Sequence, residues 1–208
     1  AVPELAVTGY PPEDLVFKPQ FVDDNRRALD RVIAESHGFT VVVGYVDYDG
    51  EAIYNAAAIA KDGELLDTYR KCLLPNYGVF DERRYFSPGN SAPVYPISGT
   101  LVGVNICEDI WSDTGPTSTQ AAEGAALIVN INGSPYHRGK RSEREAMLSK
   151  RATDSEITIA YVNMVGGQDE LVFDGGSMII APSGELMARA PQFRETLLVH
   201  DIPIQTLV

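Results

Sequence analysis

The sequence predicts a mixed α/β fold, a β-sandwich flanked by helices, and three observations carry that reading. Near-continuous apolar runs of strand length at residues 39–46, 127–131 and 157–165 suit strands covered on both faces. Helical stretches at 21–36, 117–123 and 139–153 lie between them, marked by an apolar stripe or by high helix propensity. Elsewhere tight turns, Lys61-Asp62-Gly63-Glu64 and Pro182-Ser183-Gly184-Glu185, join apolar segments directly, which requires antiparallel pairs as well. At 208 residues the chain is long enough for one domain with a substantial core.

In chain order, residues 1–5 read as the end of a strand whose partners precede the numbered chain. Pro11-Pro12 and Pro19 keep residues 9–19 out of helix. The helix at 21–36 sets Phe21, Ala28, Leu29, Val32 and Ile33 on one face, and Gly38 closes it. A strand at 39–46 turns at Tyr48-Asp49-Gly50 into strands at 53–60 and 65–69. Residues 74–93 form a long loop without periodicity, a length that in compact domains signals function. Strands at 94–97 and 101–107 flank Ser98-Gly99. A short helix ends at Gly124, and the strand at 127–131 runs into Asn132-Gly133-Ser134-Pro135. After the charged helix, Gly166-Gly167 ends the strand at 157–165. A hairpin joins 177–181 to 186–188, and 197–202 is the last strand. No low-complexity segment interrupts the chain.

Composition narrows the function. Seventeen basic and 29 acidic residues give a formal net charge of −12, which disfavours binding to nucleic acid or to an anionic membrane. The one positive cluster is His137, Arg138, Lys140, Arg141 and Arg144. The chain has no apolar run of membrane-spanning length and no signal peptide, and its two cysteines form no disulfide framework. A cytoplasmic setting is expected. The three histidines and two cysteines lack zinc spacing, so no metal site is expected.

The segment most suited to chemistry is Gly103-Val104-Asn105-Ile106-Cys107-Glu108-Asp109-Ile110-Trp111. It delivers a thiol to the C-terminal end of a strand, where α/β enzymes place reacting groups. Taken alone, the pattern favours a buried structural cysteine. Two further segments shift the balance, one holding Glu4 among prolines and one holding Lys71 before the long loop. Singly, Glu4 and Lys71 fit ordinary solvated charges. Cys72, next to Lys71, is expected to face the opposite way, into the core.

Together, PELAVTGYPPEDL (3–15), KCLLPNYGVFDERRYF (71–86) and CEDIW (107–111) resemble the carbon–nitrogen hydrolase, or nitrilase, superfamily, most of all the glutaminase domain of glutamine-dependent NAD synthetases. The resemblance runs over nearly the whole chain. It implies a four-layer α-β-β-α sandwich, with a first strand and helix missing before Ala1 and an ATP-dependent synthetase domain missing after Val208. It implies a catalytic triad of Glu4, Lys71 and Cys107. In such a triad Glu4 is the general base, Cys107 the nucleophile, and Lys71 with the backbone N–H of Glu108 holds the oxyanion. For glutamine, whose ammonium and carboxylate both need partners, the family's spacing points to Tyr77 and Glu82 at one end and Ser134 and Lys140 at the other, with Tyr10 lining the pocket. Glu82 with Arg83 also fits a surface ion pair, and Lys140 a solvated helix charge. The implied partners are L-glutamine, the synthetase domain and further copies of the chain. No cofactor is implied for this domain; ATP and Mg belong to the absent one. A stand-alone amidase acting on another small amide, and a binding domain with a decayed site, are the competing readings.

Overall fold

The apolar stripe predicted at 21–36 forms α1, Pro19–Ala34, with proline at its first turn, where the missing N–H costs nothing. The computed structural model describes residues 1–204, which divide into two compact units, one spanning residues 1–91 and one beginning at Ala92.

In the first unit an antiparallel meander runs β1 (Thr40–Tyr48), β2 (Ile53–Lys61) and β3 (Glu64–Arg70). Asp62 and Gly63 both have positive φ, as the predicted two-residue hairpin turn demands. Leu29 and Ile33 of α1 pack on Val43, Tyr45, Ala56, Ala58 and Ala60, so the alanine-rich β2 gives the helix a flat bed. Asn25 spends its amide on β1, donating to the Val46 carbonyl and accepting from its N–H.

The second unit holds a six-stranded sheet in the order β11-β10-β7-β6-β5-β4. β4 (Val94–Ile97) and β5 (Thr100–Ile106) form an antiparallel hairpin through Ser98-Gly99. β5, β6 (Leu127–Asn132) and β7 (Thr158–Asn163) are parallel and are linked by α2 (Pro116–Ala122) and α3 (Lys140–Ser155). Leu148 and Ala152 of α3 join Ile128, Ile159, Tyr161, Met178 and Ile180 in one core. The parallel strands bring Cys107, Ser134 and Asn163 to the same, C-terminal, edge of this sheet. A separate hairpin pairs β8 (Val165–Gln168) with β9 (Leu171–Asp174), and β10 (Met178–Ile180) pairs with β11 (Leu186–Arg189).

Several expectations need correction. Residues 1–5 form no strand: Val2 donates one bond to Val42, and the chain then turns, with Leu5 at positive φ. Residues 13–17, placed outside helix, make a short 3-10 helix just after the prolines, which constrain residues before themselves more than after. Gly166-Gly167 lies inside β8 instead of ending a strand. Residues 197–202 are not a strand: Leu197 is 87% exposed, and β propensity builds a strand only where a neighbour supplies the ladder. Cys72 is half-buried just past the end of β3, near the Tyr69 hydroxyl and the Ser91 carbonyl, because the strand's alternation has already stopped. Among the described residues no helix is long and apolar enough to cross a membrane.

Candidate active site

The first unit gathers Glu4, Tyr10, Lys71 and Glu82 around one ammonium. Lys71 leaves the end of β3, with its N–H bonded to Asn55 of β2 and its carbonyl to Gly89. Its Nζ lies 2.7 Å from Glu4 Oε1 and 2.8 Å from Glu82 Oε1. Asn55 Nδ2 donates to the same Glu4 oxygen at 2.7 Å, and the Tyr10 hydroxyl donates to Glu82 Oε1 at 2.8 Å. Glu4, Lys71 and Glu82 are at most 4% exposed.

Backbone packing puts Glu4 there. A Cβ at Gly44 of β1 would collide with the backbone of Pro3 and Leu5 and come within 2.8 Å of the Glu4 carbonyl carbon. Only glycine lets the Glu4 segment lie directly on the strand. Val2 and Val7 then donate to Val42 and Gly44, one on each side of Glu4.

Two carboxylates and one ammonium leave this dry cluster one negative charge in excess. Burial pushes the Glu82 carboxyl up to about 7, and the negative charge of Glu4 adds to it; the Lys71 ammonium and the bonds from Lys71 and Tyr10 oppose it. Glu82, expected at the ammonium of the substrate, thus has Oε1 committed to Lys71 and Tyr10, while Oε2 has no hydrogen-bond partner. A small cavity of about 40 Å³ is lined by Tyr10, Glu13, Phe80, Glu82 and Phe86. Tyr77 stands outside that lining, 59% exposed, with its ring edge-on to Phe80.

The second unit presents Cys107 at the turn out of β5, 4% exposed and with a φ of 45°. A left-handed non-glycine residue costs roughly 1–2 kcal/mol, and such strain concentrates where a side chain must be aimed. Asp109 holds the turn by accepting the Ile106 N–H at 3.0 Å. Glu108 follows in the short 3-10 helix Cys107–Ile110 and is half-buried. Ser134 sits beyond the end of β6, buried and bonded on several sides by Arg144 and Asn163. Lys140 opens α3, and its ammonium lies 4.3 Å from the Trp111 ring centroid and 3.4 Å from Glu143 Oε2. The fully buried Tyr161 has its hydroxyl raised well above the usual phenol range, first by burial; Arg144 lowers it, and Cys107 nearby raises it.

A family model, carbon–nitrogen hydrolase, matches residues 1–208. The chain belongs to the carbon–nitrogen hydrolase family. This carbon–nitrogen hydrolase is 50% identical over 205 residues to a glutamine-dependent NAD(+) synthetase of Thermotoga maritima, covering 97% of the chain and 35% of that protein. It is 47% identical to the Aquifex aeolicus protein of the same name, covering 95% of the chain and 35% of that protein. It therefore spans about a third of the length of these relatives. Its fold matches the glutamine-dependent NAD+ synthetase of Acinetobacter baumannii, solved with ADP, at a TM-score of 0.90 and 40% identity, over 94% of this chain and 37% of that one. It also matches a glutamate-to-glutamine mutant of an amidase from Nesterenkonia sp. AN1, at 0.82 and 28%, over 91% and 72%. That amidase carries the acetamide moiety of fluoroacetamide on its active site cysteine. The mixed α/β fold expected from the sequence is the fold of these structures.

Sequence reasoning missed Asn55, Asn163 and Asp174, and noted Arg144 only as one charge in a cluster. A signal existed for the asparagines. Each stands in a mostly apolar run of the sequence, Asn55 inside β2 and Asn163 at the end of β7, where asparagine is disfavoured unless it has a bonding task.

Proposed function

We propose that this carbon–nitrogen hydrolase converts L-glutamine to glutamate and ammonia through a thioester on Cys107, and that the ammonia feeds an ATP-dependent synthetase making NAD from deamido-NAD. The observation that carries the hydrolase chemistry is the buried Glu4–Lys71–Glu82 cluster. Such a charge assembly is costly to bury and rarely improves stability, and it tunes proton affinity where a reaction needs it. The names of the long relatives support the choice of glutamine and of the synthetase partner.

In the proposed reaction Glu4 takes the Cys107 proton, and sulfur attacks the side-chain amide carbon. The carbonyl π electrons move to oxygen, which Lys71 and the Glu108 N–H stabilise. Collapse re-forms the carbonyl and breaks the C–N bond, and Glu4 returns the proton to the departing nitrogen, giving ammonia. Glu4 then deprotonates water, which attacks the thioester. The second collapse breaks the C–S bond and releases glutamate, and the proton held by Glu4 passes to the departing sulfur, restoring the thiol and the base. Glu82 positions Lys71 through Oε1 and leaves Oε2 for the ammonium of the substrate, beside Tyr77 and Tyr10. Ser134 and Lys140 take its carboxylate.

Ammonia release from L-glutamine by wild type and Cys107→Ala tests this. The variant should fold and be inactive; activity at about a tenth of wild type or more would remove Cys107 as nucleophile. The likeness to the amidase favours one second reading, a hydrolase of simple amides. Butyramide turned over faster than glutamine would decide for it.

A further inference from the structure

Arg144 is among the largest fully buried side chains of the described residues, yet the proposed chemistry gives it no task. It reaches from α3 and makes four hydrogen bonds, three to the segment after β6 and one to Asp174 at the end of β9. Nε donates to Ser134 Oγ at 3.2 Å, Nη2 to the carbonyls of Ser134 and Pro135 at 2.8 and 3.0 Å, and Nη1 to Asp174 Oδ1 at 2.7 Å. Asn163 completes the clamp, accepting the Ser134 N–H at 2.9 Å and donating to its carbonyl at 3.3 Å.

This arrangement sets the polarity of the Ser134 hydroxyl. Oγ already accepts from a guanidinium, so its proton is directed away from that donor, to a partner on another side. Each oxygen of Asp174 already accepts a bond: Oδ1 from Arg144 and Oδ2 from Gln192 Nε2 at 2.6 Å. The neighbouring Tyr161 hydroxyl makes no bond of good geometry, but the Ser134 hydroxyl lies close enough to lower its pKa, so the two hydroxyls share at most one of their protons. A guanidinium and two hydroxyls thus lie together with at most one proton used between the hydroxyls, and an anionic oxygen is the group suited to accept the other.

We propose that Arg144 is a positioning residue, which acts through Ser134 by fixing its hydroxyl as a donor to the carboxylate of the substrate. This rests on the glutaminase reading, in which Ser134 meets that carboxylate. A planar fork is needed, because a lysine ammonium cannot hold the hydroxyl, two carbonyls and Asp174 at once.

The test compares L-glutamine with butyramide, which keeps the amide and chain of glutamine as far as Cα without ammonium or carboxylate, in wild type, Arg144→Lys, Ser134→Ala and the double variant. Arg144→Lys should raise KM for glutamine about tenfold, the loss of one charge-assisted bond, with kcat changing less than about threefold. The ratio of kcat/KM for glutamine to that for butyramide should fall to match, and adding Ser134→Ala should cost little more, as expected for residues that act as one unit. Fully additive losses, or equal losses on both amides, would overturn the role of Arg144 while leaving the glutaminase reading intact. A wild type inert on glutamine but active on butyramide would overturn both. Should Arg144→Lys unfold, Arg144→Met with Asp174→Asn removes both buried charges together, and the same ratio is read.

Discussion

Glu82 shows how one side chain ties charge to function. Its folded pKa of about 7 lies above the ordinary glutamate value of 4.5, so between these limits the folded protein holds a proton that the unfolded chain has released. Stability from this group is therefore greatest at low pH and falls as pH rises from about 4.5 to about 7. Urea titrations at pH 5 and pH 8 should show wild type losing stability relative to Glu82→Gln across that window; an equal difference at both pH values would refute the assignment. The same titration should put an inflection near pH 7 in kcat/KM that the glutamine variant lacks. Much at this scale was legible in advance. Glu4 and Lys71 sat in recognisable segments, and the fold brings their side chains within 2.7 Å of each other. The bond between Glu82 and Lys71, eleven positions apart, was not legible, because the chain between them crosses an aperiodic loop whose path no local rule fixes.

Among the elements, those defined by a period were read well and those defined by a partner were not. α1 and the hairpin at Asp62-Gly63 emerged close to their expected places, since their apolar spacing and turn chemistry are local properties. The β8–β9 hairpin was hidden because its glycines look like an ending, whereas β9 stabilises them as a strand. Residues 197–202 failed the other way, with strand-like composition and no ladder. The buried amides of the second unit make the same point. Asn132 donates to Asn130, Asn130 to Asn105, and Asn105 to Gln120, a file that only the parallel register of β5 and β6 assembles. The contact between β1 and the Glu4 segment carries its own prediction. Gly44→Ala should lower stability by about 1–3 kcal/mol, an overpacking cost, and should reduce ammonia release more than tenfold by displacing the base, although the mutated residue bears no reacting group. Thermal unfolding and activity measured together check it; full activity would mean that Glu4 does not depend on this packing.

For the whole molecule the proposed partnership sets the expectation. Ammonia released into neutral water is mostly protonated and a poor nucleophile, so a hydrolase serving a synthetase gains by releasing it only when the acceptor is ready. Joined to a synthetase domain in a chain of the relatives' length, the protein should hydrolyse glutamine faster when deamido-NAD and ATP are present, and it should sediment as a homo-oligomer. An unchanged rate together with a monomer would favour the simple amidase instead. Neither property is legible in the 208 residues, because both depend on surfaces supplied by other chains or domains.

The bonds from Val2 and Val7 to β1 have a consequence for how the protein is handled. Among the described residues β1 has a strand neighbour on one side only, and these two N–H groups, with Asn25, occupy carbonyls on the other. A chain cut after Thr8 would lose that cover along with Glu4 and present an uncapped apolar edge, a template for strand addition by another copy. Light scattering should then show concentration-dependent aggregation of the truncated protein, while Glu4→Gln, equally without its base, stays in solution.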